Sequence, residues 1–105
     1  MTGNRDALER LLAAGQDSAV LRFSLGSAWL NEDPARAAMH FERATQLKED
    51  YSAAWKMLGK ARVANGEPVL ARAAFERGIA VATSNGDVQA RKEIQVFLKR
   101  LDRDT

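Results

Sequence analysis

The chain has 105 residues, 46% hydrophobic and 29% charged, which suits one domain with a modest core. It has no cysteine, which excludes disulfide scaffolds, thiol nucleophiles and cysteine-ligated metals, and its single histidine, His40, forms no metal-binding cluster. Sixteen Lys and Arg against fourteen Asp and Glu leave a formal charge of +2, interspersed rather than gathered into the basic face of a nucleic-acid binder. No apolar run approaches the ~18 residues of a membrane span. The start, Met1-Thr2-Gly3-Asn4-Arg5-Asp6, lacks the apolar core of a secretory signal. A soluble, cytoplasmic protein is expected.

Nineteen alanines, few β-branched residues and no period-two alternation point to helix throughout. Breakers lie at Gly15-Gln16-Asp17, Asn31-Glu32-Asp33-Pro34, Asn65-Gly66-Glu67-Pro68 and Ser84-Asn85-Gly86-Asp87. The segments between them predict six helices, at 5–14, 18–31, 34–47, 52–64, 68–83 and 87–101. Asp17 or Ser18 can cap the second helix, and Asp50 or Ser52 the fourth. Pro34 and Pro68 stand at first helical positions, where a missing N–H is harmless. Gly15, Gly66 and Gly86 suit left-handed helix ends. Short connections make neighbouring helices antiparallel.

The chain repeats itself. Leu8-Glu9-Arg10 returns as Phe41-Glu42-Arg43 and again as Phe75-Glu76-Arg77, Leu25-Gly26 as Leu58-Gly59, Asn31 and Pro34 as Asn65 and Pro68, and Ala37 as Ala71. The intervals are 33 or 34 residues. Ser52 to Asn85 is the fullest copy, with Trp55-x2-Leu58-Gly59 followed by Ala71-x3-Phe75. This pattern resembles the tetratricopeptide repeat. The copy departs at Arg62, where the family has Tyr, at Gly78, which replaces an Ala-like residue, and at Thr83, which replaces a proline. Residues 19–51 form an earlier copy, one residue short, with Arg22 in the Trp place, Trp29 in the Tyr place and Glu49 in the proline place. Residues 1–18 read as a leading second helix and 86–105 as a capping helix. The resemblance implies an all-α solenoid of antiparallel helix pairs.

Helical spacing supports that reading. Trp55, Leu58, Gly59 and Arg62 fall on one helix face. Gly59 allows Ala71 to approach, and Phe75 fills the space between helix pairs. Gly26, Ala37 and Phe41 repeat the device. Ala90, Ile94, Phe97, Leu98 and Leu101 form the apolar stripe of a cap with a polar back, if one residue is inserted around 84–87.

No phosphate loop, nucleophile elbow or paired-carboxylate pocket occurs, so neither catalysis nor a cofactor is expected. His40 is read as a solvent-facing or half-buried helix residue, and Trp29 and Trp55 as core aromatics. Arg62 is read as a stem on apolar surface whose head pairs with Asp87 or Glu93. Acids such as Glu32-Asp33 and Glu49-Asp50 fit helix capping and the helix dipole.

By the resemblance, the free face of the first helix of each pair lines a concave groove for a peptide or partner segment. That face carries Phe23, Ser27, Leu30 and Asn31 on the second helix, and Lys56, Lys60, Val63 and Ala64 on the fourth. Arg91 and Gln95 border it on the sixth. One sub-family grips carboxylate tails with Lys, Asn and Arg here, but Phe23 and Ser27 replace two of that set, so that activity is not carried over. The expectation is non-catalytic protein–protein interaction, by an adaptor or assembly factor, with acidic or carboxylate-terminated peptides preferred. The alternative is a self-associating homodimer, and nucleic-acid binding ranks below both.

Overall fold

The computed structural model describes residues 2–104. They form six α-helices and no strand: α1 (Thr2–Ala13), α2 (Ala19–Trp29), α3 (Pro34–Leu47), α4 (Ser52–Ala64), α5 (Pro68–Asn85) and α6 (Val88–Asp104). All six expected helices are present, with differences only at their ends. The Ser18 hydroxyl accepts from the Leu21 N–H at 3.1 Å, Asp33 from Arg36 at 3.1 Å and Asp87 from Ala90 at 3.0 Å, capping α2, α3 and α6. The expected cap of α4 is not made. Its N-cap residue is Tyr51, which forms no side-chain cap bond. Asp50 instead accepts from Lys48 Nζ at 2.9 Å, while the Tyr51 ring stacks on Phe23, centroids 5.2 Å apart. An aromatic contact thus fixes the entry to α4.

α5 has 18 residues against 14 in α3. Its added turn ends at Asn85, whose amide donates to the Asp50 carbonyl at 2.9 Å, tying it to the entry of α4. Gly86, at φ 72°, then supplies the left-handed stop.

Each helix packs on the next, and α4 also meets α6 directly. The result is a stack of 39 × 28 × 19 Å. One core cluster joins Ala37, Ala38 and Phe41 to Leu58, Ala61 and Ala74; a second joins Ala71 and Phe75 to Ile94 and Leu101. Phe41, Phe75, Leu25 and Ile94 are the largest fully buried side chains. The glycine expectation needs one correction. What occupies the space over Gly59 is the Phe75 ring, not Ala71, just as the Phe41 ring lies over Gly26, 2.7 Å from where a Cβ would stand. Ala71 instead joins the second cluster, under α6.

Both tryptophans pack against the first core cluster, as expected of core aromatics, though each is only half-buried. Arg5 and Arg36 lie over the Trp29 ring at 3.9 and 4.4 Å, adding cationic cover to its core contact. Trp55 donates from Nε1 to the Glu49 carbonyl at 2.9 Å.

Candidate functional site: the shared face of α2, α4 and α6

Helix pairing leaves one face of each first helix free of its partner. On α4 that face carries Lys56, Lys60 and Val63, and α6 lies alongside it. Lys56 Nζ donates to Glu93 at 3.1 Å, and Lys60 Nζ sits 4.9 Å from the Phe97 ring centroid. Both contacts span 37 residues, 56 to 93 and 60 to 97, three more than the 34-residue repeat. α5 is four residues longer than α3, and these two contacts fix how α6 lies against α4. Glu93 and Phe97 therefore stand opposite Lys56 and Lys60, while Arg91 and Gln95 are half-buried two positions earlier on α6.

A pocket of about 300 Å³ opens between α4 and α6, lined by Lys60, Val63, Phe75, Phe97, Arg100, Leu101 and Asp104. Four of these, Phe97, Arg100, Leu101 and Asp104, occupy i, i+3, i+4 and i+7 of α6. The spacing was readable, but without the register of α6 it could not be assigned to this face. Phe97 also stacks on Phe75, centroids 6.0 Å apart.

On α2, Phe23 meets Phe41 edge-on at 5.6 Å and stacks on Tyr51. Phe23 and Ser27 line a shallow depression with Asn4, Leu8, Ser24 and Ala28. Leu30 packs against the first core cluster, and Asn31 is exposed. The structure therefore joins Lys60 and Val63 in one pocket and Phe23 and Ser27 in another, and Lys56 is engaged by Glu93.

Two charged side chains have other partners than expected. Arg62, its side chain 15% exposed, pairs with Glu42, and with Glu67 at 3.9 Å. It does not reach Asp87 or Glu93, because α6 begins beside the start of α4 and Arg62 lies near the other end. His40 is only 3% exposed, not solvent-facing. Its Nδ1 lies 3.2 Å from Arg22 Nη1, and Arg22 also donates to both Asp17 oxygens at 2.8 and 3.2 Å. A guanidinium only donates, so this geometry makes Nδ1 the acceptor of a neutral ring. The signal available in the sequence was Arg22, a cation in an apolar repeat position.

Burial first, then the Arg22 charge, lowers the His40 pKa below 6.5; Arg36 acts likewise, and Glu9 and Asp17 oppose. The folded state thus gains this proton at lower pH than the unfolded chain. Between the two pKa values the unfolded state binds more protons, so stability falls as pH drops through that window and is fully present above about 6.5. Asp17, held low chiefly by its hydrogen bond with Arg22, titrates below 3.8 and acts in a separate window. Melting followed by circular dichroism from about pH 7 to about pH 5 should show the loss in wild type and a flatter profile in His40→Gln. Parallel profiles would remove His40 as the cause.

Stacked helix pairs with an added helix at each end define a helical-repeat, α-solenoid protein. A Tetratricopeptide repeat family model matches residues 28–92. A TPR repeat-containing protein of Pseudomonas aeruginosa is 50% identical over 99 residues, covering 93% of this chain and 94% of the relative. The solution structure of a Bordetella parapertussis protein superposes with a TM-score of 0.82 at 42% identity, covering 95% of this chain and 88% of that one. The chain belongs to the tetratricopeptide repeat family, whose members generally mediate protein–protein interaction and are generally non-catalytic scaffolds. Among the described residues, no helix is long and apolar enough to cross a membrane.

Proposed function

We propose that this protein is an adaptor or assembly module that holds a peptide or partner segment along the face shared by α2, α4 and α6. The observation that carries this is the α4/α6 pocket, where an apolar floor adjoins cationic groups beside the direct contact of the two helices. Phe23, Ser27, Leu30 and Asn31 extend the surface along α2, Lys56, Lys60 and Val63 along α4, and Arg91 and Gln95 border it. Such a surface suits a segment with apolar anchors and acidic groups, in helix- or strand-in-groove recognition. The unit would comprise a leading helix (1–18), repeats at 19–51 and 52–85, and a cap (86–105).

The test is affinity capture from native extract, then titration of the captured partner's peptide. The double change Lys56→Glu, Lys60→Glu should keep the helical spectrum and weaken binding by about 1–3 kcal/mol. Equal affinity at equal helicity would remove the lysines from the site. Self-association is a second reading, favoured by Val69, 79% exposed at the start of α5 beside Leu70 at 46%. Light scattering separates it: a dimer supports self-association, and a monomer leaves the face open to a partner.

A further inference from the structure

We infer that the α4/α6 pocket sets the specificity of the face, and that it takes one apolar side chain flanked by a carboxylate on a partner segment. This rests on the reading of the face as a peptide-binding surface, and it names the chemistry that surface selects.

Volume comes first. At about 300 Å³, the pocket lies at the lower end of the ~300–1,000 Å³ range of small-molecule sites, which suits one anchor side chain better than a cofactor. Its floor is aromatic, with Phe97 stacked on the fully buried Phe75 at 6.0 Å. Lys60 Nζ stands 4.9 Å from the Phe97 centroid and Arg100 Cζ 5.6 Å from it, so both cations are placed against one ring at the pocket wall.

Charge then separates this pocket from the rest of the face. Lys56 is matched by Glu93 at 3.1 Å. Among the described residues, no carboxylate lies in ion-pair range of Lys60 or Arg100, while Asp104, the acid in the lining, faces Arg103 at 3.7 Å. Lys60 and Arg100 against the single carboxylate of Asp104 leave the lining net positive, and the low-dielectric wall focuses that potential. An apolar side chain fills the space, and an adjacent carboxylate reaches the cations. A basic segment meets repulsion, and a purely apolar one leaves them unmatched. A nucleic-acid strand calls for cations spread along a backbone, not two around one aromatic well.

The experiment uses the full chain and short amidated fluorescent peptides, each bearing Leu or Phe beside Asp or Glu, with matched peptides bearing Lys or Ser instead. Fluorescence anisotropy should show the acidic set binding more tightly. Lys60→Gln and Arg100→Gln should each weaken that binding by about tenfold, as loss of a charge-assisted contact does. Lys92→Gln, which removes an exposed α6 cation outside the pocket lining, should leave it unchanged. Both pocket variants alter a side chain outside the buried core, and circular dichroism confirms their fold. Equal binding of acidic and basic peptides, or preference for a single-stranded oligonucleotide, overturns the inference. Tight acidic binding that ignores Lys60 and Arg100 but is lost in Phe23→Ala moves the site to α2, so the pocket falls and the face survives. Failure of every peptide to bind removes both readings.

Discussion

Gly59→Leu should be among the most damaging single substitutions in this chain. A Cβ built at Gly59 falls well inside van der Waals contact distance of the Phe75 ring edge. That ring cannot swing away: Phe75 is 1% exposed, lies in the cluster with Ile94 and Leu101, and stacks on Phe97. α4 and α5 must therefore separate, which also loosens Leu58, Ala61 and Ala74 in the neighbouring cluster. Overpacking a well-filled core costs about 1–3 kcal/mol, and this site, where even the first added carbon collides, belongs at or beyond the upper end. For a domain of this size that corresponds to a fall of about 10–20 °C in Tm. Gly59→Ala should show a smaller loss in the same direction. A Gly59→Leu protein melting within a degree or two of wild type would contradict the ring-on-glycine packing.

Removal of residues 87–105 should be more severe still and leave a chain without cooperative melting. Ile94 is 0% exposed and Leu101 6%, with Phe97 and Leu98 packed beside them, so α6 supplies half of the second cluster. Without it, Phe75, Ala71 and the Ile94-facing side of Gly78 open to water. Burial of each large apolar side chain contributes ~1.5–3 kcal/mol, so losing several exceeds much of the ~5–15 kcal/mol by which a domain is stable. Loss of near-ultraviolet dichroism with retained helical signal, or precipitation, is the expected result. A soluble truncation with a sharp thermal transition would show α6 to be dispensable. A milder probe, Ile94→Ala, should destabilise by about 2–5 kcal/mol in the intact chain.

Helix number, helix order and the close approach at Gly26 and Gly59 were legible in the residues because they rest on local chemistry, whereas the phenylalanine ring that fills each approach came from the packing. Pro34 and Pro68 can only start helices, Gly66 and Gly86 only end them cheaply, and a 33- or 34-residue interval between Gly26 and Gly59 and between Phe41 and Phe75 forces like positions into like places. The helical apolar stripe of the last segment likewise marked Ile94 and Leu101 as buried. The family followed from the same repeats.

The site was only partly legible, because it depends on how helices distant in sequence register against each other. Lys60 and Val63 could be placed on the free face of α4 from their spacing. What stands opposite them could not, since the register of α6 on α4 is set by packing between helices distant in sequence and by no local rule. That register puts Glu93 against Lys56 and Phe97 against Lys60. His40 shows the same division. A lone histidine one residue before Phe41 gives no local sign of burial, and it was the packing of α2 on α3, with Arg22 lying across it to Asp17, that enclosed the ring. The sequence by itself determined the helices, their repeat and their apolar faces, because those are set within a few residues of chain. Tertiary structure alone decided which charges are matched and which stay free, because ion pairs and pockets form between elements whose relative register is settled only by packing.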